Sequence, residues 1–292
     1  YYGIRLYYTD SVEISGNTMP SFRNSFSYGM YMWYNDFVKV TKNAVYNANY
    51  GIYSYYTNQL ATSAAYTSEF SNNMLGAAST YGLYMYGNKY MNVFHNSIEA
   101  SGTYGLYLSG SSVQGTTSSD NIDIRNNIIS HSGSNYAIYI ANTPFGTFTV
   151  DYNLYNTSGT NIAYNGAAYS NLAAWQLADL TKNVNSVETT PGFVSSTDLH
   201  VLGVGPNNIG DNSVGITTDF DGQARPAVPL GTVDIGADEY TPVTEDIALI
   251  SGDFSKNGKC LRTNDTIVLE IQNVIGAIKN FGTTSLTATW NV

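Results

Sequence analysis

The stretch Tyr28–Asp36, YGMYMWYND, decides the fold of this chain because its pattern returns along the sequence. The pair Tyr-Gly, with Tyr-Ala in its last copy, recurs at Tyr2, Tyr28, Tyr50, Tyr81, Tyr104 and Tyr136. Apolar residues follow each pair at alternate positions, as with Met30 and Met32 in the quoted copy. Alternation with a period of two predicts a β-strand that buries one of its sides.

A second pattern lies between these copies and contains one asparagine each time. Successive asparagines are 26, 30, 23, 31 and 26 residues apart: Asn17, Asn43, Asn73, Asn96, Asn127 and Asn153. Apolar or aromatic residues lie three positions before and two positions after each of them. Each unit therefore holds short strands separated by turns, in too few residues for a helical repeat. We predict a coil in which each strand pairs with its equivalent in the next unit, about 4.8 Å away.

The asparagines are predicted to share one corner of this coil. Asparagine tolerates the left-handed backbone conformation of a turn better than most residues. Stacked at one corner, each side-chain amide can donate to one neighbour and accept from the other, at about 1 kcal/mol net per hydrogen bond. We interpret the six residues as a structural ladder rather than a catalytic group.

The repeats resemble those of right-handed parallel β-helix proteins, the architecture shared by pectate lyases and many bacterial surface proteins. The resemblance covers residues 1–160 by repeat, and it continues to about residue 240 in a tail similar to that of secreted Bacteroidetes β-helix proteins. The tail motifs are DYNLYN, SNLAAWQLADLTKNVNSV, PGFVSSTDLHV and TTDFDGQARPAVPLGTVDIGADEY. The resemblance implies an all-β fold, a right-handed parallel β-helix over residues 1–240 with a closing C-terminal cap over about 161–240. A short amphipathic helix is expected at Asn171–Leu180.

The last part of the chain resembles the start of a different module. Residues 241–245 are interpreted as a linker, and DIALIS, TIVLEIQNV and SLTATWNV then alternate as strands. Residues 246–292 resemble a partial β-sandwich of the adhesion-type immunoglobulin-like kind, which needs about 100 residues when complete. We therefore expect a piece of a larger parent chain, and the resemblance implies export by the type IX secretion machinery. The single cysteine, Cys260, is expected to be a small buried hydrophobe with no disulfide or metal role.

The composition excludes two classes of partner. The chain has a net charge of −10 and only 12 Lys and Arg residues, so it lacks the basic stripe of a nucleic-acid-binding protein. Its apolar runs are far shorter than the roughly 20 residues of a membrane-spanning helix, so membrane insertion is not expected. We predict that the protein is secreted or lies on the cell surface.

Residues between the inward apolar positions are predicted to face outward, where they form two columns. The first contains Arg5, Tyr31, Tyr53, Tyr84, Tyr107 and Tyr139, and the second contains Tyr7, Trp33, Tyr55, Tyr86, Ser109 and Ala141. The tyrosine that opens each copy has inward parity. One interpretation is that stacked rings stabilise the sheet. Another is a surface that binds a glycan or a surface protein, and a third is that an insertion covers the rings. The predicted binding residues are Tyr31, Trp33, Tyr53, Tyr55, Tyr84, Tyr86, Tyr107 and Tyr139.

Candidates for catalysis are few. The outward column Glu13, Lys39, Glu69, Asn92, Asp123 and Thr149 is interpreted as a solvated charge ladder. Resemblance to β-helix polysaccharide lyases implies carboxylates that hold calcium and an Arg or Lys base. The best local set is Asp123, Arg125 and Asp151, although an ordinary ion pair between Arg125 and Asp151 also explains it. The three histidines are scattered, without the spacing of a zinc motif.

Several acids and one arginine lie together in the tail: Asp219, Asp221, Arg225, Asp234, Asp238 and Glu239. We expect Arg225 to pair with acids there and to help close the fold. No cofactor is predicted, and calcium bound by Asp219, Asp221 and Asp234 is the alternative.

These observations predict a non-catalytic adhesin or structural module, a rigid rod that presents a Tyr/Trp face. The first alternative is a polysaccharide lyase or glycoside hydrolase that acts in a groove of the β-helix. The second alternative is a spacer or a filament-forming surface protein.

Overall fold

The computed structural model describes residues 1–22, 26–110, 119–141, 146–227 and 229–240, together with two short strands nearer the C-terminus. The chain divides into two compact units, Tyr1–Tyr240 and Thr241–Val292. Among the described residues, no helix has the length and apolar character needed to cross a membrane.

Three sheets form the walls of the first unit, and each repeat contributes one strand to each sheet. The first sheet contains, in order, Tyr2–Tyr7, Tyr28–Trp33, Tyr50–Tyr55, Tyr81–Tyr86, Tyr104–Ser109, Tyr136–Ile140, Ala163–Asn165 and Ala168–Tyr169. The second contains Glu13–Ser15, Lys39–Thr41, Ser68–Ser71, Lys89–Phe94, Asp120–Arg125 and Phe148–Asp151. The third contains Thr18–Met19, Ala44–Tyr46, Met74–Ala78, Ser97–Ala100, Ile128–His131, Leu154–Thr157 and Val187–Glu188.

Strands pair with their equivalents in the next repeat, and all but the last pair of the first sheet are parallel. Met30 lies beside Ile52 in the first sheet, and Val45 lies beside Leu75 in the third. These side chains are buried in one continuous interior core. The predicted parallel β-helix is therefore confirmed, because period-two alternation places one apolar column of each sheet inside.

The corner before the third sheet differs from the prediction. The left-handed residue is the one that precedes each ladder asparagine: Gly16, Lys42, Asn72, His95, Asn126 and Tyr152. None of the six ladder asparagines has a positive φ. The prediction that the ladder residues themselves are left-handed is wrong. The preceding residue makes the turn, and the asparagine is then free to direct its side chain into the helix.

The tyrosine that opens each copy lies on the outer face, although the period-two alternation predicts that it faces inward. The glycine after it breaks the alternation, since Gly29, Gly51, Gly82 and Gly105 are buried. A Cβ atom at Gly29 would lie 2.6 Å from the carbonyl oxygen of Gly51 and would also collide with Val45. Only glycine allows this close approach of the first sheet to the third. Tyr28 therefore turns outward, and its ring contacts that of Tyr31, with centroids 5.2 Å apart.

A short helix closes the end of the interior. It spans Leu172–Ala178, and the Asn171 side chain caps it by accepting a hydrogen bond from the Ala174 N–H at 2.8 Å. Trp175 is fully buried in the core and packs against Tyr155 and Tyr169. This part of the predicted closing segment acts as a cap.

The rest of the closing segment runs back along the helix instead of covering its end. We call residues 189–240 the returning segment; it includes strands Phe193–Ser195 and Asp198–Val201 and the 3₁₀ turn Asn212–Val214. Its apolar side chains pack on the outward residues of the third sheet in two clusters. The partners are Leu199 and Ala237 with Ala44, Tyr46 and Met74, and Val201 and Ile235 with Ile128 and Leu154. The third sheet is therefore covered on both sides.

Two remaining elements are small. A 3₁₀ turn at Ala64–Tyr66 lies in the first unit. In the second unit, Ile247–Leu249 pairs antiparallel with Ile278–Asn280. The first of these strands lies within the predicted DIALIS strand, and the second was not expected from the sequence. The linker 241–245, Cys260, TIVLEIQNV and SLTATWNV lie outside the described residues, and the immunoglobulin-like module stays a prediction.

Candidate functional site

The six repeat asparagines form one continuous ladder inside the corner. Each Nδ2 donates to the Oδ1 of the next asparagine, at 2.9, 3.0, 2.9, 2.9 and 3.1 Å from Asn17 to Asn153. The same oxygens accept backbone N–H groups of the neighbouring asparagines, as between Asn43 N and Asn73 Oδ1. The polar groups of this corner are thus paired internally, which gives the ladder a structural role.

Two further polar columns were missed by the sequence reasoning. Asn35 Oδ1 accepts from the Thr9 backbone N–H, and Asn88 Oδ1 accepts from that of Thr57. At another corner, Asn49 accepts from the Ser27 N–H and donates to the Ser79 hydroxyl. Serine and threonine alternate with asparagine there, so no single residue type repeats in the sequence.

The outer surface of the first sheet carries the aromatic rings, and we call it the aromatic face. In its central column, ring centroids are 5.1 Å apart for Tyr31–Tyr53, 4.6 Å for Tyr53–Tyr84 and 4.9 Å for Tyr84–Tyr107. The interplanar angles of these pairs are 2°, 3° and 15°. The column continues through Tyr139 to Tyr164, which the sequence analysis did not include.

The second predicted column is stacked in the same way. Trp33 and Tyr55 lie 4.1 Å apart, and Tyr55 and Tyr86 lie 4.8 Å apart. The opening tyrosines add a third column on the other side, with Tyr28 and Tyr50 stacked at 4.6 Å. The aromatic face is thus broader than the two columns predicted from the sequence.

Stacking determines which atoms of the aromatic face meet solvent. Because neighbouring rings in the central column lie face to face, the ring faces are covered and the rings are only partly exposed. Burial, and then repulsion from neighbouring tyrosines, raises the pKa of Tyr31 to about 12 and also raises the pKa of Tyr53 and Tyr84. The phenols therefore stay neutral near pH 7 and can both donate and accept hydrogen bonds.

The candidate catalytic trio does not assemble as predicted. Arg125 Nε donates to Asp123 Oδ1 at 2.8 Å, and Arg125 Nη1 lies 2.7 Å from Asp211 Oδ2. Asp151 accepts instead from the Asn185 side chain at 2.8 Å, although it lies beside Arg125 in the sheet register. The expected Arg125–Asp151 ion pair is absent among the described residues. The sequence could not place Asp211, which comes from the returning segment 86 positions later.

Arg125 is also poorly suited to remove a proton. Its hydrogen bond to Asp123 raises the pKa of the guanidinium above its ordinary value, although burial acts in the opposite direction. A base must be neutral before it accepts a proton, and this arginine is held in its charged form.

Clefts lie on the outer surface of the second sheet. A groove of about 390 Å³ lies between this sheet and the returning segment, lined by Glu13, Lys39, Glu69 and Thr217 among others. A smaller cleft of about 230 Å³ lies beside Asp123 and Tyr90. The charge column follows the predicted register, with Lys39 next to Glu13 on one side and Glu69 on the other.

The acids of the tail have separate roles. Asp219 is buried, and its two oxygens accept the backbone N–H groups of Gln223 and Glu239 at 2.7 and 3.0 Å. Asp234 likewise accepts from Asn208 and Tyr240, and burial raises its pKa to about 7. The structure does not bring the predicted calcium ligands Asp219, Asp221 and Asp234 together as one group of described residues with converging oxygens.

Arg225 fastens the returning segment to the helix. Its guanidinium lies 2.7 Å from Glu239 and donates to the side chain of Asn72, one of the left-handed corner residues, at 3.0 Å. It also donates to the carbonyl of Gly236 at 2.8 Å. The predicted pairing of Arg225 with an acid of the tail is present.

Comparison with known proteins gives one match. A family model described as "Right handed beta helix region" matches residues 1–174, more than half of the 292 residues. The match covers every Tyr-Gly copy and every ladder asparagine, and it ends within the capping helix. No curated protein and no solved structure matches the chain.

Proposed function

The chain belongs to the right-handed β-helix family, and from this premise we propose that it is a non-catalytic secreted or cell-surface module. Its aromatic face would bind a glycan or a surface protein, as an adhesin does. The family fits structural or surface modules and also enzymes that act on polysaccharides, so the surfaces of this chain must distinguish the two. The observation that carries the proposal is the unbroken central column from Tyr31 to Tyr164.

The arrangement of the rings narrows the chemistry of the ligand. A sugar that stacks on an aromatic ring needs a free ring face, and within the columns those faces are covered by neighbouring rings. The columns instead present ring edges and neutral hydroxyl groups, one per coil and about 4.8 Å apart. Such a surface suits an extended ligand that carries hydroxyl or carbonyl groups along its length, which describes a polysaccharide or a strand of protein.

The packing of the rest of the unit supports this assignment. The returning segment packs on the third sheet, and the described residues of the first sheet keep their aromatic rings partly exposed. The described insertion after Tyr56 also leaves Tyr53 and Tyr84 partly exposed. Burial of the rings by an insertion, the third interpretation of the sequence, receives no support from these residues.

The alternative, an enzyme acting on polysaccharides, is favoured by one observation, the groove of the second sheet. It contains carboxylates at Glu13 and Glu69 and an amine at Lys39. Against it, the arginine of the predicted trio is held between two carboxylates in its charged form. A non-catalytic module is therefore the better proposal.

Screening of soluble glycans tests the proposal, with binding and the release of unsaturated or reducing ends measured on the same samples. We expect binding without turnover. The double variant Tyr53→Phe/Tyr84→Phe keeps the stacked rings and removes two hydroxyls, so affinity should fall about 10-fold. The control Tyr90→Phe removes a hydroxyl that lies in the cleft of the second sheet and should bind normally.

Two results would overturn the proposal. Release of sugar ends that is lost in Asp123→Ala would establish the enzyme. Absence of both turnover and binding, to glycans and to surface proteins, would leave a spacer or a filament-forming protein. The proposed location is checked separately, by labelling intact cells that express the protein with an antibody against this unit.

A further inference from the structure

Three parts of the returning segment meet at one place on its surface. His200 comes from the strand Asp198–Val201, Asp221 from the turn after Phe220, and Asp238 from the final stretch before Tyr240. Each offers one atom able to bind a metal ion, and these atoms all lie within 4.8 Å of one another. Ligand atoms of a single ion must converge in this way.

Acidic residues gather on many protein surfaces without binding an ion, but Asp238 is not a surface acid. Its residue is only 6% exposed, and its Oδ2 accepts the backbone N–H of Val201 at 2.7 Å. No other described residue donates a hydrogen bond to this carboxylate. Burial removes most of the water that would solvate this negative charge, and a cation beside the carboxylate would offset that cost.

The imidazole of His200 is already oriented by a carboxylate. Its Nδ1 lies 2.5 Å from Asp198 Oδ1, and its Nε2 lies 3.0 Å from Asp221 Oδ2. Histidines that bind metals usually donate their other ring N–H to a carboxylate, which fixes the ring and its tautomer. Here Asp198 would hold the Nδ1–H and leave Nε2 directed at Asp221 and the ion.

We propose that His200 Nε2, Asp221 and Asp238 bind a divalent transition-metal ion of the Zn²⁺ class. Three protein ligands leave a position for water, which reaches the site because Asp221 is exposed. The imidazole ligand favours zinc over calcium or magnesium, which prefer oxygen ligands alone. Binding replaces the proton on Nε2, so one proton is released at a pH where the ring is protonated. Asp198 acts as a positioning residue.

The bound ion would reinforce links that already exist between three segments. Near this point, the Val201–Asp238 and His200–Asp221 hydrogen bonds connect strand Asp198–Val201 to the other two segments. The backbone hydrogen bond from the Phe220 N–H to the carbonyl of Ala237 connects the turn at Asp221 to the stretch containing Asp238. The ion binds only the folded arrangement, so its presence should raise the melting temperature of the unit.

The test uses the whole chain after treatment with a chelator. Zn²⁺ titrated by calorimetry should bind at one site per chain, Ca²⁺ should not compete, and Co²⁺ should give visible absorption bands of a bound ion. We expect the affinity for Zn²⁺ to fall by more than about 10-fold in His200→Gln and Asp221→Asn, and by about 10-fold in Asp198→Asn. The control Asp10→Asn removes an exposed carboxylate from the first coil and should bind like the parent.

The proposal would be overturned if Asp221→Asn bound Zn²⁺ as tightly as Asp10→Asn does. It would also be overturned if the unsubstituted chain did not bind Zn²⁺. Equal affinity for Ca²⁺ would overturn the choice of a transition metal. Asp221→Asn alters an exposed side chain whose one described partner is His200, so the test does not depend on whether His200→Gln folds. Circular dichroism of each variant without metal provides the check of folding.

Discussion

Asn73 Nδ2 and Asn96 Oδ1 lie 2.9 Å apart inside the helix, although 23 positions separate the two residues in the chain. The same Nδ2 donates to the carbonyl of Val40, one coil back. One side chain therefore joins three consecutive coils. The ladder links all the coils from Asn17 to Asn153 at this corner, in addition to backbone hydrogen bonds such as that from the Lys42 N–H to the carbonyl of Ser71.

Asn96→Ala should lower the free energy of unfolding by about 2–4 kcal/mol, measured by urea denaturation. The change leaves the buried backbone N–H of Asn73 without its acceptor, removes one acceptor of the Asn73 side chain and removes a donor to the carbonyl of Phe70. Each orphaned buried group costs about 1–3 kcal/mol. Asn92→Ala, on the outer side of the same coil, should change the free energy of unfolding by less than about 0.5 kcal/mol. Equal effects of the two substitutions would contradict the ladder's structural role.

Gly82→Ala should destabilise the unit by about 1–3 kcal/mol, because the new methyl group would lie 2.8 Å from the carbonyl oxygen of Gly105 and against Ile98. Gly16→Asn is the matched comparison. Gly16 has a φ of 67°, nothing lies within 4 Å of its missing Cβ, and equivalent corners hold Asn72 and Asn126. Thermal unfolding should show a change of less than about 1 kcal/mol for Gly16→Asn. A larger loss there than at Gly82 would disprove the assigned roles.

The sequence alone was sufficient to predict the aromatic columns of the first sheet. It was insufficient to predict that the returning segment covers the third sheet. Stacking of Tyr53 on Tyr84 follows from period-two alternation and a repeated unit, both of which can be read directly. The outward turn of Tyr28 could not be read that way, because the close approach at Gly29 breaks the alternation.

The sequence does contain a signal that the third sheet is covered on its outer side. The residue directly after the ladder asparagine is apolar in most repeats, as at Met74, Ile128 and Leu154. Together with the apolar residue that follows it, this indicates a strand buried on both sides, which needs a covering segment. Neither Asp211 beside Arg125 nor the meeting of His200 with Asp238 has such a signal, since both depend on where the returning segment lies.

A double-mutant cycle between Arg125 and Asp211 should give a coupling energy of about 1 kcal/mol, since both side chains are partly buried and their charged atoms lie 2.7 Å apart. The same cycle between Arg125 and Asp151 should give a value close to zero, because Asp151 bonds to Asn185 instead. Urea denaturation of the single and double Ala variants provides the measurements. Strong coupling to Asp151 would restore the ion pair first expected from the sequence.

Stability should fall as the pH rises above about 10. Tyrosine in an unfolded chain ionises near pH 10, whereas burial raises the pKa of Tyr31 in the folded unit to about 12. The folded state therefore holds more protons between these values, and its advantage is complete below about pH 10 and lost through pH 12. Melting temperatures at pH 8 and near pH 11 should show the fall, and Tyr53→Phe/Tyr84→Phe should reduce it. A melting temperature independent of pH in this range would contradict the raised pKa values.

The Ala237 N–H donates to the Ser97 hydroxyl at 3.0 Å, across 140 positions of the chain. On the ribosome, Met74, Ile128 and Leu154 are therefore made well before Ile235 and Ala237, which cover them. A nascent chain at that stage has its coils but leaves an apolar wall bare, and such a wall attracts other unfinished chains. The yield of refolding should therefore fall as the protein concentration rises, because chains can associate before the returning segment covers the third sheet.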